Sequence, residues 1–593
     1  MLKTYQKIYK IFLFFTHSGY IMNLTIRKEG PFMKLLAILL ALCLLTGCGA
    51  GEPASENLPM PESQSSQALP LTFCAYREIV FASRFETVTA VTLSDAGISV
   101  NGAGETEEVF TSQDIIYYED KEVYESGNPY GEGQAWETHT AAEAAAHTVV
   151  NITAPGAYRI SGKLSKGQIR IDLGEDAYEN PDAVVELILS DADITCTVAP
   201  AILFMQTYEC DGNWSVETAK ANIDTDKAGA NLILEGTNTV KGSHVAKIFK
   251  DKEGEKKLWK QDGAIYSYMS MNVFGPGKLD LTADNEGLDT ELHLTIIGGD
   301  IAIRADNDGI NTNEDGVSVT TINGGNLHII AGLGAEGDGI DSNGYLVING
   351  GTVVSAANPG ADAGLDSDLG SFIHGGNVIA LGSAMDWAES DSEQVTMNLQ
   401  FAKNQSADTA VVVTRQDGTV IFAYDPGNDE VLAENSRVYS GAILSGPNFH
   451  TGETYHVYVD GELEGTEYGG VYDPNTVVSF GGGTQMAYTG TDVMGRPGGM
   501  GGMEPPEGME FPEGTPKGQR PEMPEGMQPG KNPEGMELPE GFEPGQMPGG
   551  MGKPEGGFGG REAPGDFGFD DADPNTLFYM QDQVNFFSGL TQV

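Results

Sequence analysis

The feature that most constrains this chain is a period. Gly-Gly pairs stand at Gly298-Gly299, Gly324-Gly325, Gly350-Gly351 and Gly375-Gly376, in steps of 26, 26 and 25 residues. A pentapeptide recurs between them: EGLDT at Glu286–Thr290, DGINT at Asp308–Thr312, DGIDS at Asp338–Ser342 and AGLDS at Ala363–Ser367. A looser copy, DGAIYS, lies at Asp262–Ser267. A fixed period of this size marks a repeat architecture. Each unit holds about three short apolar runs that alternate with polar residues, as strands with one buried face do. The runs are too short for helices, and the Gly, Asn and Asp residues between them suit sharp bends that need positive φ. One turn cannot bury its apolar face alone. Stacked turns can, so the expected structure is a parallel β-helix.

Alternation places Ile340 inward, Asp341 outward and Ser342 inward again. The equivalent pairs are Leu288/Asp289, Ile310/Asn311 and Leu365/Asp366. The expectation is an internal apolar ladder and an external acidic one. Successive turns lie ~4.8 Å apart, so stacked carboxylates repel unless a cation intervenes. Between Leu279 and Ala402 the only Lys or Arg is Arg304. A bound cation is then the counter-charge, and oxygen ligands suit calcium. The candidate ligands are Asp284, Asp289, Asp306, Asn307, Asp308, Asn311, Asp338, Asp341, Asp362, Asp366 and Asp368, densest at Asp306-Asn307-Asp308 and at Asp362, Asp366 and Asp368. The alternative is that these residues form solvated Asx turns chosen for bend geometry.

Strand character and Gly/Asn breaks extend upstream through Gly156–Leu173, Ala183–Thr195 and Ala230–Val240. Residues 71–148 are expected to form an N-terminal β cap, 149–393 the β-helix and 394–490 an antiparallel β unit. In that last unit Thr409–Asp425 reads as a hairpin turning at Asp417-Gly418, and Thr451–Leu463 as a second strand pair. Residues 491–569 are rich in Gly, Pro, Met and Glu, a composition that cannot bury a core and is expected to be disordered. Residues 570–593 become apolar again and are expected to return to the body as an edge strand or short helix.

At the other end, residues 33–47 hold one Lys and an apolar run too short to span a membrane, and read as a signal peptide. Leu45-Thr46-Gly47-Cys48 resembles a bacterial lipobox, which implies cleavage before Cys48 and lipidation of its thiol. Residues 48–70 are a polar, Pro/Ser-rich tether. Residues 1–32 are read as an untranslated extension, since Arg27-Lys28-Glu29-Gly30 can be encoded by a purine run matching a ribosome-binding site. The expected location is the extracellular face of a bacterial membrane, anchored through the lipid on Cys48. With Cys43 and Cys48 set aside, Cys74, Cys196 and Cys210 allow one disulfide at most, Cys196–Cys210 being the nearest pair in sequence. A net charge of −53 excludes nucleic acid as a natural partner.

The order of GAYRISGKLSKGQI, ILEGTNTV, the DGI[DN][ST] and Gly-Gly repeats and TGETYHVY resembles the bacterial secreted carbohydrate-binding domain family. That family has a right-handed β-helix like that of polysaccharide lyases. The resemblance spans roughly Thr89 to Val478. It implies a right-handed parallel β-helix with calcium held between turns, and binding to cell-wall polysaccharide, cellulose or a pectin-like acidic glycan. The chain is expected to be all-β, with a small antiparallel β cap after the helix, and to be a monomer. Two other functions stay open. A lyase would use calcium on a uronate carboxylate and a basic side chain to remove the C5 proton, for which Arg304 is the candidate. A surface adhesin would use calcium only as a staple. No carbohydrate-binding residue is assigned from the sequence.

Overall fold

The computed structural model describes residues 9–13, 22–26, 83–119, 133–212, 215–250, 256–406, 408–427, 437–477, 479–492 and 575–593. The signal peptide, Cys43, Cys48, the tether, Cys74 and the Gly/Pro/Met/Glu-rich segment fall outside them. Two compact units are distinguished, Met1–Leu69 and Pro70–Val593. In the first, strands Tyr9–Leu13 and Met22–Ile26 pair antiparallel.

The second unit is all-β and built on mixed sheets. Its repeats feed three parallel ladders in rotation. The first ladder runs Thr148–Ile152, Gly167–Asp172, Ile202–Gln206, Gly263–Ser267, Glu286–Thr290, Ile310–Thr312, Ile340–Ser342 and Leu365–Ser367. The second includes Ala230–Glu235, Met271–Phe274, Leu294–Ile296, Val319–Ile322, Tyr345–Ile348 and Gly370–Ile373. The third includes Thr237–Gly242, Lys278–Ala283, Asp300–Ala305, Asn326–Ile330, Thr352–Ala356 and Asn377–Gly382. Period-two alternation drives the packing. Along Asp300–Ala305, Ile301, Ile303 and Ala305 are fully buried and the residues between them are not. Stacking then lines Leu279, Ile301, Leu327, Val353 and Val378 into one interior column.

The repeated glycines do two different jobs. The second Gly of each pair takes positive φ: +112° at Gly299, +89° at Gly325, +88° at Gly351 and +96° at Gly376. This is the bend the sequence demanded. The Gly of the pentapeptide does not adopt positive φ. It is needed because turns approach closely: a Cβ on Gly339 would collide with Ser355 Oγ and the Gly364 carbonyl, and Gly287 and Gly309 meet the carbonyl of the next turn's Gly in the same way. Gly339→Ala should therefore destabilise the fold by about 3 kcal/mol. Urea unfolding of parent and variant checks this, and an unchanged midpoint would refute the close-approach account.

The ends are closed by antiparallel strands. Val88–Ser94 and Gly97–Val100 form a hairpin, and Val109–Ser112 pairs with Thr148–Ile152. At the far end Asn377–Gly382 pairs antiparallel with Val438–Ser445. A separate apolar core there gathers Met397, Phe422, Tyr424, Tyr455, Phe578 and Phe587. The Val411–Arg415/Val420–Tyr424 hairpin forms as expected. Thr451–Leu463 does not form a strand pair. Thr454–Val459 pairs with Val411–Arg415, while Glu462–Glu464 pairs with Ser479–Gly481. The buried Tyr455, Val457 and Val459 are better covered by the long hairpin than by a three-residue neighbour. The C-terminal segment returns to the body as two strands, of which Phe578–Tyr579 pairs, among the described residues, with Thr454–Val459 alone and the longer one is interior. Val584–Gln592 lies parallel to Thr396–Ser406 on one side and antiparallel to Gly490–Asp492 on the other.

Candidate metal centre and carboxylate column

The first ladder aligns the pentapeptides residue for residue. Leu288, Ile310, Ile340 and Leu365 form an inward column. The following position stacks Asp289, Asn311, Asp341 and Asp366, and the next stacks Thr290, Thr312, Ser342 and Ser367. Among the hydroxyls, Thr312 Oγ1 and Ser342 Oγ share a hydrogen bond of 2.8 Å.

The acidic column is not an exposed one, which corrects the sequence expectation. Asp289 is 0% exposed and Asn311 6%, while Asp341 and Asp366 are half-buried. The cause lies outside the repeat. An excursion pairs Val245–Lys250 with Lys256–Gln261, and its last residues bring Lys260 to the head of the column. The Lys260 ammonium sits 3.0 Å from Asp262 and donates to Asn313 Oδ1 at 2.6 Å. Asn313 in turn donates to Asp289. Lys260 is thus a protein cation that the stretch from Leu279 to Ala402 could not reveal; burial works against its charge, but the carboxylates around it together outweigh burial and hold its pKa above the ordinary lysine value.

One cation does not balance the cluster. Asp262, Glu286 and Asp289 each place an oxygen within 4.8 Å of the others. Burial and mutual repulsion push the carboxyls of Glu286 and Asp289 well above the usual range. Farther along, burial first and neighbouring carboxylates second raise Asp308 and Asp338 to about 8 and Asp341 to about 9. Burial also raises Asp366. Glu286 Oε2, Asp289 Oδ2 and Asn311 Oδ1 are buried without a hydrogen-bond partner among the described residues. Orphaned acceptors of this kind are costly, and a set composed only of oxygens fits a hard divalent cation such as calcium.

The remaining candidates separate into distinct roles. Asp308 accepts the Asp338 N–H at 2.7 Å, Asp338 accepts the Ala363 N–H, and Asp362 accepts the Gly337 N–H at 3.1 Å. These loop carboxylates staple one turn to another, through bonds between residues 25 to 30 apart rather than the local bonds of a solvated Asx turn. Asp306 and Asp368 are exposed. The backbone carbonyls of Asp306 and Asn307 accept from Gly334 and Gly332. Asp284 is withdrawn from the column altogether. It bonds His244 Nδ1 at 3.0 Å, while His244 Nε2 meets Glu137 at 3.0 Å. The two densest sequence clusters are therefore split, and the tightest group forms around Asp262 and Glu286 instead. Asp386, whose carboxyl burial and Asp366 raise to about 7, joins the far end through Ser367 and Ser371. No motif marked it.

Arg304 is not at this site. It lies on the third ladder and pairs with Asp280 at 3.1 Å. Cys196 and Cys210 are both free thiols. Of the tryptophans, Trp387 is buried against Phe586, Trp136 is exposed, and Trp214 and the Trp259 side chain lie outside the described residues.

Stacked parallel ladders carrying a partly covered column of side-chain oxygens define an all-β repeat architecture. The model of the family described as carbohydrate-binding domain-containing protein matches residues 146–444, and the chain belongs to that family. A curated carbohydrate-binding domain-containing protein of Acetivibrio thermocellus is 30% identical over 157 residues, 26% of this chain and 45% of that protein. The chain thus spans less than half the length of this relative. A solved structure, titled the polysaccharide lyase-like protein from C. thermocellum in a gadolinium derivative, is 19% identical. The match covers 49% of this chain and 93% of that one, with a TM-score of 0.29.

Proposed function

We propose that this chain is a lipid-anchored cell-surface protein that binds polysaccharide, cellulose or a pectin-like acidic glycan, through a right-handed parallel β-helix stabilised by calcium. Family membership over residues 146–444 carries the binding assignment. Rotation of successive strands through three in-register ladders supports the helix. The orphaned oxygens of Glu286, Asp289 and Asn311 support the ion. The lipobox-like Leu45-Thr46-Gly47-Cys48 supports the anchor.

Asp262, Glu286, Asp289 and Asn311 would hold the first ion, with Lys260 fixing Asp262 and Asn313 fixing Asp289. A bound calcium ion supplies positive charge between turns that otherwise carry like charges. The Asp308, Asp338 and Asp362 carboxylates keep the loops in register by accepting backbone N–H groups. Proton abstraction has less support than binding, because the Arg304 guanidinium is engaged by Asp280 on another ladder.

The test is retention of the full chain on insoluble cellulose and on immobilised polygalacturonate, each with calcium and with chelator. Retention without release of unsaturated product is expected. Passage through both columns would overturn the binding assignment, and unsaturated product would replace it with a lyase.

A further inference from the structure

The outward positions of the second ladder should be polar where a strand faces water. Near the end of the stack they carry rings instead. On Tyr345–Ile348 and Gly370–Ile373 the inward Leu346, Ile348, Ser371 and Ile373 are fully buried. The outward Tyr345 and Phe372 are half-exposed, with His374 just beyond them. Tyr345 and Phe372 have ring centroids 6.2 Å apart, and Phe372 and His374 are also 6.2 Å apart with planes 25° from parallel. The strip opens at His374 into a cleft of about 380 Å³, whose other walls include Gln394, His450 and Gln583. That volume falls within the roughly 300–1,000 Å³ of small-ligand sites.

The polar groups of the cleft are fixed in orientation. The Glu393 N–H donates to His374 Nδ1 at 3.2 Å, so the ring's proton resides on Nε2. The Gln394 amide nitrogen donates to the Gly376 carbonyl at 2.8 Å and to Ser445 Oγ at 2.9 Å, which turns its Oε1 into an acceptor for a ligand. Thr451 donates to Gln583 Oε1 at 3.2 Å, leaving the Gln583 amide nitrogen as a donor. The cleft therefore offers amide and imidazole donors and acceptors beside an aromatic strip. A pyranose ring presents the same combination, with an apolar C–H face for the rings and hydroxyls at its rim for the amides. Among the described lining residues there is no Lys or Arg, and Glu393 is acidic. A uronate would meet repulsion here.

We infer that the Tyr345–Phe372–His374 strip and the cleft beside it form a subsite for a neutral polysaccharide chain, separate from the carboxylate column. The inference rests on the binding role proposed above and narrows it to uncharged glycans at this site.

The experiment measures binding of the full chain to cellulose and to polygalacturonate, in calcium and in chelator, for the parent, Phe372→Ala and His450→Ala. Phe372→Ala should weaken cellulose binding by about tenfold or more, equivalent to 1.4 kcal/mol, in both buffers. His450→Ala, at an exposed position, should weaken it several-fold with the melting temperature unchanged. Neither should alter polygalacturonate binding in calcium. Variants that hold cellulose as tightly as the parent would overturn the subsite, as would equal loss on both polymers without loss of folding. A parent that binds polygalacturonate alone sinks this inference and leaves the binding role intact. A parent that binds neither removes both.

Discussion

Chelating calcium should lower the melting temperature of the full chain by about 5 °C or more. A ligand present at a hundredfold its dissociation constant stabilises the folded state by ~2.7 kcal/mol per site, and each kcal/mol moves the transition of a large domain by roughly 2–4 °C. The carboxylates of Asp262, Glu286 and Asp289 meet only one described lysine, Lys260. Glu286→Gln should shrink the calcium increment without lowering the melting temperature of the chelated protein. The substitution replaces a carboxyl whose ionised form is disfavoured by burial and by Asp289 and Asp262, and it keeps the shape. Thermal scans of both proteins with and without calcium decide the matter. Identical melting in calcium and chelator would leave Lys260 and protonation as the sole means of tolerating the column.

The second large effect is expected at His244. Its imidazole is 6% exposed and lies between Glu137 and Asp284, each 3.0 Å away. Burial opposes the charge, but the two carboxylates prevail and raise its pKa to about 10. A cation whose folded pKa is raised contributes stability fully present below about 6.5 and lost as pH rises through about 10. His139 stands in the same neighbourhood, and burial lowers its pKa, so it does not compete for the proton. His244→Gln should cost about 3 kcal/mol at pH 6, because it leaves two carboxylates without their shared cation. The difference from the parent should narrow steadily toward pH 10. Urea unfolding at pH 6, 8 and 10 measures this. A constant difference across that range would mean that the histidine is held neutral.

The inward half of this architecture was legible because period and alternation are local properties. The pentapeptides announce their own register, and Leu288, Ile310, Ile340 and Leu365 align as the spacing demands. The outward half was not legible, because what covers a column is decided by segments with no repeat. Lys260 arrives from an excursion before the repeats and His244 from the turn before it, and neither belongs to a motif. Composition over Leu279–Ala402 correctly reported a shortage of basic residues there. It could not report that a lysine folds in from residue 260. The same limit explains Asp284, which carries the acidic pattern of the column but is bound by His244. The glycines were read through one rule, although two apply. Positive φ governs Gly299, Gly325, Gly351 and Gly376, whereas contact with the next turn governs Gly287, Gly309 and Gly339.

The placement of the last strand changes what the Gly/Pro/Met-rich segment is. Gly490–Asp492 enters it from a position already hydrogen-bonded to Phe586–Ser588, and Asn575 emerges from it beside Tyr488. Its two ends are therefore fastened to one another by the body. Topologically it is a handle rather than a tail. Closing a connection between two fixed ends costs entropy only as the logarithm of its length, so changing the number of residues between Asp492 and Asn575 should leave the pairing of those ends intact. Anything that grasps it pulls on Gly490–Asp492 and Phe578–Tyr579, the strands before and after it, at once.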